Sequence, residues 1–125
     1  MHQSRVSTIC LDVPSPTRTA SEDFWSGALG VESRRGTSHP EYSVLGGHAG
    51  QRFVLQELND GPARVHFDIH TDDRDSEVRR LTALGAREVE RHDEWTVMVD
   101  PAGIIFCVVL VEIGDSSLED ARTWP

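Results

Sequence analysis

The stretch "TALGAREVER", residues 82–91, repeats in outline the stretch "SGALGVESRR", residues 26–35. Both carry Ala-Leu-Gly followed by a short charged segment, and the two triplets lie 55 residues apart in a chain of 125. Glycine in the third place predicts the end of a helix, because glycine adopts the left-handed conformation found there without steric strain. The spacing therefore predicts a chain built of two similar halves.

The segments around each triplet follow the same order. Strands are predicted over 7–13 and 64–71, and each is followed by an amphipathic helix, over 17–29 and 74–84. Three strand-like segments follow each helix, so each half is β-α-β-β-β. The predicted apolar stripes are Ala20, Phe24 and Ala28 in the first helix and Val78, Leu81 and Leu84 in the second. The candidate caps are Ser15 or Thr17 for the first helix and Asp73 or Asp75 for the second.

The composition excludes several classes of function. The net charge is −9, which disfavours binding to nucleic acid. All 12 basic residues are arginine, so Schiff-base chemistry through lysine is excluded, and this usage is typical of a GC-rich bacterial genome. The longest apolar run, 104–111, is too short to cross a membrane. No signal peptide precedes the first strand, so we expect a cytoplasmic protein with no membrane partner, in which Cys10 and Cys107 are free thiols.

Four motifs in order resemble those of a known superfamily: "DFWSGALG" (23–30), "VHFDIHTDD" (65–73), "LTALGA" (81–86) and "DPAGIIFCVV" (100–109). The chain resembles the vicinal oxygen chelate superfamily, which includes glyoxalases, bleomycin-resistance proteins and extradiol dioxygenases. It is most similar to the small bacterial glyoxalase-like domain proteins.

The resemblance implies an α+β fold in which two β-α-β-β-β modules form a half-open barrel around a cleft. We expect a single domain with modules at 6–59 and 63–112 and a polar tail at 113–125, either loosely held or a short helix. Trp124 is the candidate anchor of that tail, to the body or to a partner subunit. The resemblance also implies a homodimer.

The alternation of strand side chains predicts which residues face the cleft. Apolar residues such as Leu11, Phe53, Phe67 and Phe106 are expected under the helices. The residues expected on the opposite face are Thr8, Cys10, Asp12, Val54, Gln56, His66, Asp68, His70, Ile105, Cys107 and Val109. His70, near the end of its strand, is expected to face solvent, and Trp95 and Met98 either line an apolar pocket or belong to the core.

The superfamily's metal ligands map onto Thr8, Gln56, His66 and Cys107. Metal-binding members usually carry His or Gln, Glu, His and Glu there, and only His66 matches. One imidazole, one amide, one hydroxyl and one thiol suit a hard divalent cation poorly, so no metal or other cofactor is predicted. The alternative is Zn²⁺ held by His66 with the thiolates of Cys107 and Cys10. His66 and His70 cannot share an ion, because positions i and i+4 of a strand are about 13 Å apart.

Two functions follow. The first is a binding protein whose cleft takes a small organic molecule through Thr8, Cys10, Val54, Gln56, His66, Cys107 and Val109. The second is a glyoxalase-like lyase or isomerase in which His66 and Asp68 transfer a proton, with or without a divalent metal. Asp68 is expected to pair with His66, His70 or a nearby arginine, either Arg52 or Arg64.

Overall fold

The computed structural model describes residues 1–48 and 50–125, and it divides into two compact units. The first unit is residues 8–65, and the second unit is residues 1–7 with 66–125. The strands are β1 (His2–Pro14), β2 (Arg34–Arg35), β3 (Tyr42–His48), β4 (Gln51–Leu58), β5 (Arg64–Thr71), β6 (Arg87–Arg91), β7 (Trp95–Val99), β8 (Ile105–Leu110) and β9 (Arg122–Trp124). The helices are α1 (Arg18–Leu29) and α2 (Arg74–Ala83), with single 3₁₀ turns at Ser15–Thr17 and Ser116–Leu118.

These elements confirm the β-α-β-β-β order of both halves. The single-domain description and the module bounds at 6–59 and 63–112 stay predictions. The sequence "GGHAG" (46–50) predicts a hairpin turn, but its residue Ala49 lies outside the described residues. Within the described part of the chain, no helix is long and apolar enough to span a membrane.

In the first unit, strands β2, β3, β4 and β1 lie side by side, and β1 runs parallel to β4. Leu11 pairs with Leu55 in that register, and both join the buried core. The rest of the core is Val13 and Leu45, with Trp25, Val31 and Phe53 packed against it. This confirms that Leu11 and Phe53 share the helix-covered face of their strands.

The stripe predicted for α1 is wrong, because Phe24 is 64% exposed. Trp25 packs against the core instead, and Arg18 is buried on the same helix. The indole ring removes more apolar area from water than the phenyl ring does. The Arg18 guanidinium meanwhile donates to the Ser43 hydroxyl at 2.9 Å. Both contacts orient the helix so that the face with Ala20, Phe24 and Ala28 does not point toward the core.

In the second unit, strands β5, β8, β7 and β6 lie in that order, with β5 and β8 parallel. The buried core is Met98, Phe106 and Val108, against which Ile69, Val78, Leu81 and Ala86 pack. The predicted stripe of α2 is thus confirmed at Val78 and Leu81, whereas Leu84 is 69% exposed at the helix end. Phe67 pairs with Phe106 in register but is 38% exposed, so the expectation that it lies under the helix is wrong. Neither it nor Leu84 packs against this core, which ends before it reaches them.

The C-terminal tail is held against the second unit. β9 pairs antiparallel with the start of β1, placing Trp124 opposite His2. The Trp124 indole Nε1 donates to the Ser4 hydroxyl at 2.9 Å, and the Arg80 guanidinium lies 3.7 Å from the centre of the Trp124 ring. The prediction that Trp124 anchors the tail to the body is confirmed, and the tail forms a 3₁₀ turn and a short strand rather than a loose end.

The helix termini follow the residues that suit them. Gly30, after α1, has φ +68°, the left-handed conformation expected from the first Ala-Leu-Gly triplet. Thr17 precedes α1 without capping it, because its hydroxyl donates to the Pro14 carbonyl at 3.1 Å. Asp73 caps α2 by accepting from the Ser76 backbone N–H at 3.1 Å. Of the candidate caps, Asp73 alone accepts such a bond at its helix in the described chain.

Replacing this cap should destabilise the protein measurably. The hydroxyl and backbone N–H of Ser76 hold the pKa of the Asp73 carboxyl below its ordinary value. We expect Asp73→Ala to lower the free energy of unfolding by about 1 kcal/mol, as N-cap losses typically do. Urea unfolding at pH 7 measures this. Asp73→Asn keeps a capping oxygen and should retain most of the stability, so equal losses in the two variants would contradict a capping role.

Candidate functional site

The face of the second unit opposite α2 carries a pair of ionisable side chains. His66 and Asp68 are two residues apart on β5, so alternation places both on this face, away from the core that contains Ile69. The His66 Nε2 atom lies 3.3 Å from the Asp68 Oδ1 atom. Their side chains are 12% and 21% exposed, so the pair is shielded but still reached by solvent. Asp68 therefore has His66 within ion-pair distance, one of the partners predicted for it.

Two more predicted residues share this face. In the parallel pairing of β5 with β8, Asp68 is opposite Cys107 and His70 is opposite Val109. Cys107 is in turn opposite Val97 of β7. Both Cys107 and Val109 are partly buried, and Cys107 forms no disulfide with another cysteine of the described residues, as predicted. The structure thus brings His66, Asp68, Cys107 and Val109 together on one side of one sheet.

His70 does not face solvent as predicted. It is 9% exposed, and its Nδ1 atom lies 2.8 Å from the Ser117 hydroxyl oxygen. That hydroxyl also lies 2.6 Å from the Asp115 carboxylate, to which it donates. The end of β5 is covered because the C-terminal tail lies there, a contact between residues 47 positions apart that strand periodicity alone does not reveal.

The remaining predicted ligand contacts belong to the first unit. Cys10 pairs with Val54 in register, and Asp12 pairs with Gln56, so these residues share the face opposite α1. Thr8, Cys10 and Val54 are buried, at 2%, 2% and 6% exposure. Gln56 is partly exposed, and its Nε2 donates to the Tyr42 hydroxyl at 3.2 Å. Of the ligand-binding residues predicted in the first unit, Gln56 is therefore partly open to solvent, whereas Thr8, Cys10 and Val54 are not.

The side chains at the four positions that correspond to the superfamily's metal ligands do not fit a hard divalent cation. Thr8 offers a buried hydroxyl without a hydrogen-bond partner among the described residues. The Gln56 amide is neutral and engaged with Tyr42, and the His66 imidazole nitrogen faces Asp68. Mg²⁺, Mn²⁺ and Fe²⁺ sites rely on carboxylate ligands, and these four side chains include none. The four side chains are therefore a poor match for such a cation because of the chemistry of their donor atoms.

Trp95 is a residue whose place the sequence left open between an apolar pocket and the core. It is 41% exposed and lies opposite Val109 in the antiparallel pairing of β7 with β8. Met98, on the other face of the same strand, is fully buried, which agrees with the predicted alternative that it belongs to the core. Alternation counted back from Met98 would have placed Trp95 on the side away from the core, because strand positions three residues apart lie on opposite faces.

Three solved structures illustrate what the fold is similar to. A hypothetical protein, BH1468, from Bacillus halodurans C-125 matches with TM-score 0.63 and 10% identity over 88% of this chain and 96% of that one. An NAD-dependent benzaldehyde dehydrogenase from Legionella pneumophila matches with TM-score 0.61 and 15% identity over 84% and 98%. A variant of the methylmalonyl-CoA epimerase from Streptomyces coelicolor matches with TM-score 0.57 and 14% identity over 89% and 99%. At such identities the likeness shows the fold alone, and it confirms the predicted α+β fold.

The sequence comparisons decide the family. The profile of the glyoxalase-like domain matches residues 8–109, most of the chain. No curated protein matches the sequence significantly. The resemblance to the vicinal oxygen chelate superfamily is confirmed by this match together with the fold of the epimerase. The chain therefore belongs to the glyoxalase-like domain family.

Proposed function

We propose that the protein binds a small organic molecule, without a metal, on the sheet face that carries His66 and Asp68. The observation that supports this most directly is the distance of 3.3 Å between His66 Nε2 and Asp68 Oδ1 on a partly exposed face. Such a pair offers a ligand both a donor and an acceptor, held in place by each other.

The surroundings of the pair suit an organic ligand. Cys107 and Val109 lie beside it on β8, and Val97 lies beyond them on β7. Ligand sites in proteins are mostly apolar surfaces with a few polar groups that fix orientation, which is the composition of this face. The metal-free proposal follows from the donors at the positions of the superfamily's metal ligands, which include no carboxylate to balance the charge of a divalent cation.

A thermal-shift screen of small aromatic and antibiotic-like compounds tests this function. A ligand that binds the folded state stabilises it by about 2.7 kcal/mol at 100 times its Kd, which raises the unfolding midpoint. We expect His66→Ala to weaken binding about tenfold or more, the effect of losing a hydrogen bond to a charged group. His39→Ala is the matched control, because His39 is a 74% exposed histidine of the first unit.

An unchanged response of His66→Ala would place the ligand elsewhere and contradict the proposal. Metal analysis of the untagged protein belongs to the same experiment. The zinc alternative has support in the imidazole, carboxylate and thiol that His66, Asp68 and Cys107 place on one face. Stoichiometric zinc that is lost in His66→Ala would replace the metal-free proposal.

The same pair favours a second candidate, a lyase or isomerase. An imidazole oriented by a carboxylate is a general base able to take a proton from carbon beside a carbonyl. Incorporation of deuterium from D₂O into carbonyl compounds, followed by NMR, measures this activity. Asp68→Asn should slow such exchange about a hundredfold or more, because a neutral amide no longer orients the imidazole as the charged carboxylate does. Binding without any exchange would leave the binding function alone.

The homodimer, the bacterial source and the cytoplasmic location remain predictions from the sequence and its resemblance. None of them is needed for the binding proposal, since the residues that carry it lie within the second unit of one chain.

A further inference from the structure

The sheet face of the second unit that carries His66 and Asp68, here called the ligand face, divides into a polar side and an apolar side. The polar side is His66, Asp68 and His70 on β5, and of these His70 is covered by Ser117 of the tail. The apolar side begins one strand away, at Cys107 and Val109 of β8, and continues on β7 with Val97 and Trp95. A molecule lying across the three strands therefore meets hydrogen-bonding groups at one end and an indole ring at the other.

The Trp95 ring is held in place. The His92 imidazole stacks on it, with ring centroids 4.4 Å apart and planes inclined by 17°. The backbone N–H of His92 donates to the Trp95 carbonyl at 2.8 Å, which closes the turn between β6 and β7. The Arg74 guanidinium of α2 fixes the same turn by donating to the carbonyls of His92 and Asp93 at 2.7 and 3.0 Å. The indole is thus positioned before any ligand arrives, and 41% of the residue is exposed.

A large aromatic side chain that is both exposed and fixed is well suited to stacking. An aromatic pair gains more than its buried area alone provides, because offset or edge-to-face rings attract electrostatically. Positioning by His92 and Arg74 reduces the entropy that a ligand would otherwise lose in ordering the ring. Folding does not require this exposure, since the core of the second unit is Met98, Phe106 and Val108 on the other face.

We propose that Trp95 stacks on a flat aromatic end of the ligand while the ligand's polar end meets His66 and Asp68. This rests on the proposed binding function and names its ligand class. Trp95 and Asp68 are separated by two strand spacings across the sheet and two residues along it. With about 4.8 Å per spacing and about 3.3 Å per residue, their Cα atoms are roughly 12 Å apart. A ligand of two linked six-membered rings with one hydroxyl group has a length of the same order.

Two phenols of matched length test the stacking. In 4-phenylphenol the distal ring is aromatic, and in 4-cyclohexylphenol it is saturated, while the phenol end is the same. Calorimetric titration should show that the wild type binds 4-phenylphenol about three- to tenfold more tightly. Trp95→Phe should keep this preference, and Trp95→Leu should abolish it. Ile113→Ala is the control, since it removes an 86% exposed apolar side chain outside the strands.

Equal affinity of the wild type for the two phenols would overturn the inference, and so would an unchanged preference in Trp95→Leu. Either result leaves the binding function standing, because both phenols still bind. Absence of binding by both overturns the inference as well, and the screen with His66→Ala then decides the function separately. The upfield NMR shift that the indole ring induces in the distal-ring protons tests the stack on the wild type, independently of how well any variant folds.

Discussion

Glu77→Gln should lower the free energy of unfolding at pH 7 by about 3 kcal/mol, the low end of the cost of removing one partner from a buried ion pair. The Glu77 side chain is fully buried on α2 and lies 2.8 Å from His2 Nε2. It accepts from Arg80 Nε at 2.7 Å and from the terminal nitrogen Nη2 of Arg80 at 2.9 Å. The low end of the range applies because the Arg80 side chain is 26% exposed and keeps part of its hydration.

The stability that Glu77 provides should depend on pH in one direction. Burial acts to raise the pKa of its carboxyl, but hydrogen bonds from Arg80, Ser4 and His2 outweigh burial and hold the pKa below its ordinary value. A carboxyl whose pKa is lower in the folded state stabilises that state above the unfolded pKa, about 4.3 for glutamate. Its contribution is lost as the pH falls through the folded pKa. The difference between wild type and Glu77→Gln should therefore be full at neutral pH and shrink in acid.

Urea unfolding of both proteins across this range checks the prediction. Glu90→Gln is the control, because Glu90 is 66% exposed and lies 3.6 Å from His92, a surface pair worth at most about 1 kcal/mol. A loss in Glu77→Gln no larger than that of Glu90→Gln would contradict the role given to the buried carboxylate. A difference that stays constant into acid would contradict its lowered pKa.

Leu55→Ala should cost the protein about 3 kcal/mol of unfolding free energy, as cavities in well-packed cores typically do. Leu55 is fully buried and belongs to the core cluster of the first unit with Leu11, Val13 and Leu45. That cluster is what α1 covers through Trp25, so the cavity would open beneath the helix. Denaturant unfolding of the variant measures the loss.

Leu29→Ala is the matched control for this cavity, since Leu29 ends α1 and is 37% exposed. The same carbon atoms are removed in both variants, but the surface at Leu29 leaves no void. We expect the control to lose less than about 1 kcal/mol. Similar losses in the two variants would mean that Leu55 is not packed as tightly as its burial indicates.

Local chemistry made much of this protein predictable. Gly30 ends α1 because a left-handed residue is needed there, and Asp73 caps α2 because its carboxylate reaches the Ser76 N–H. Alternation placed Leu11 and Phe53 under a helix and His66 with Asp68 on the opposite face. Each of these depends on residues within a few positions of one another, so it is visible in the sequence itself.

The errors occurred where a distant segment decides the environment. The predicted apolar stripe of α1 with Phe24 is wrong because Arg18 on the same helix donates a hydrogen bond to Ser43, which lies 25 residues away. His70 is buried because Ser117 of the tail covers it, and no period along β5 contains that information. The order of polar and reactive residues along one strand can be seen in the local sequence. The identity of the strand beside it depends on segments far away in the chain.

What the sequence by itself determined is the repeat of two β-α-β-β-β halves, the faces of their strands and the family. Only the tertiary structure decided that Trp95 shares a face with His66, because that depends on the register of β7 on β8 and of β8 on β5. It likewise decided that the two ends of the chain meet, through Trp124 on Ser4, and that His2 contacts Glu77 of α2. Hydrogen bonds and packing between segments 75 and 120 residues apart are selected by the folded state as a whole, and a local pattern cannot encode them.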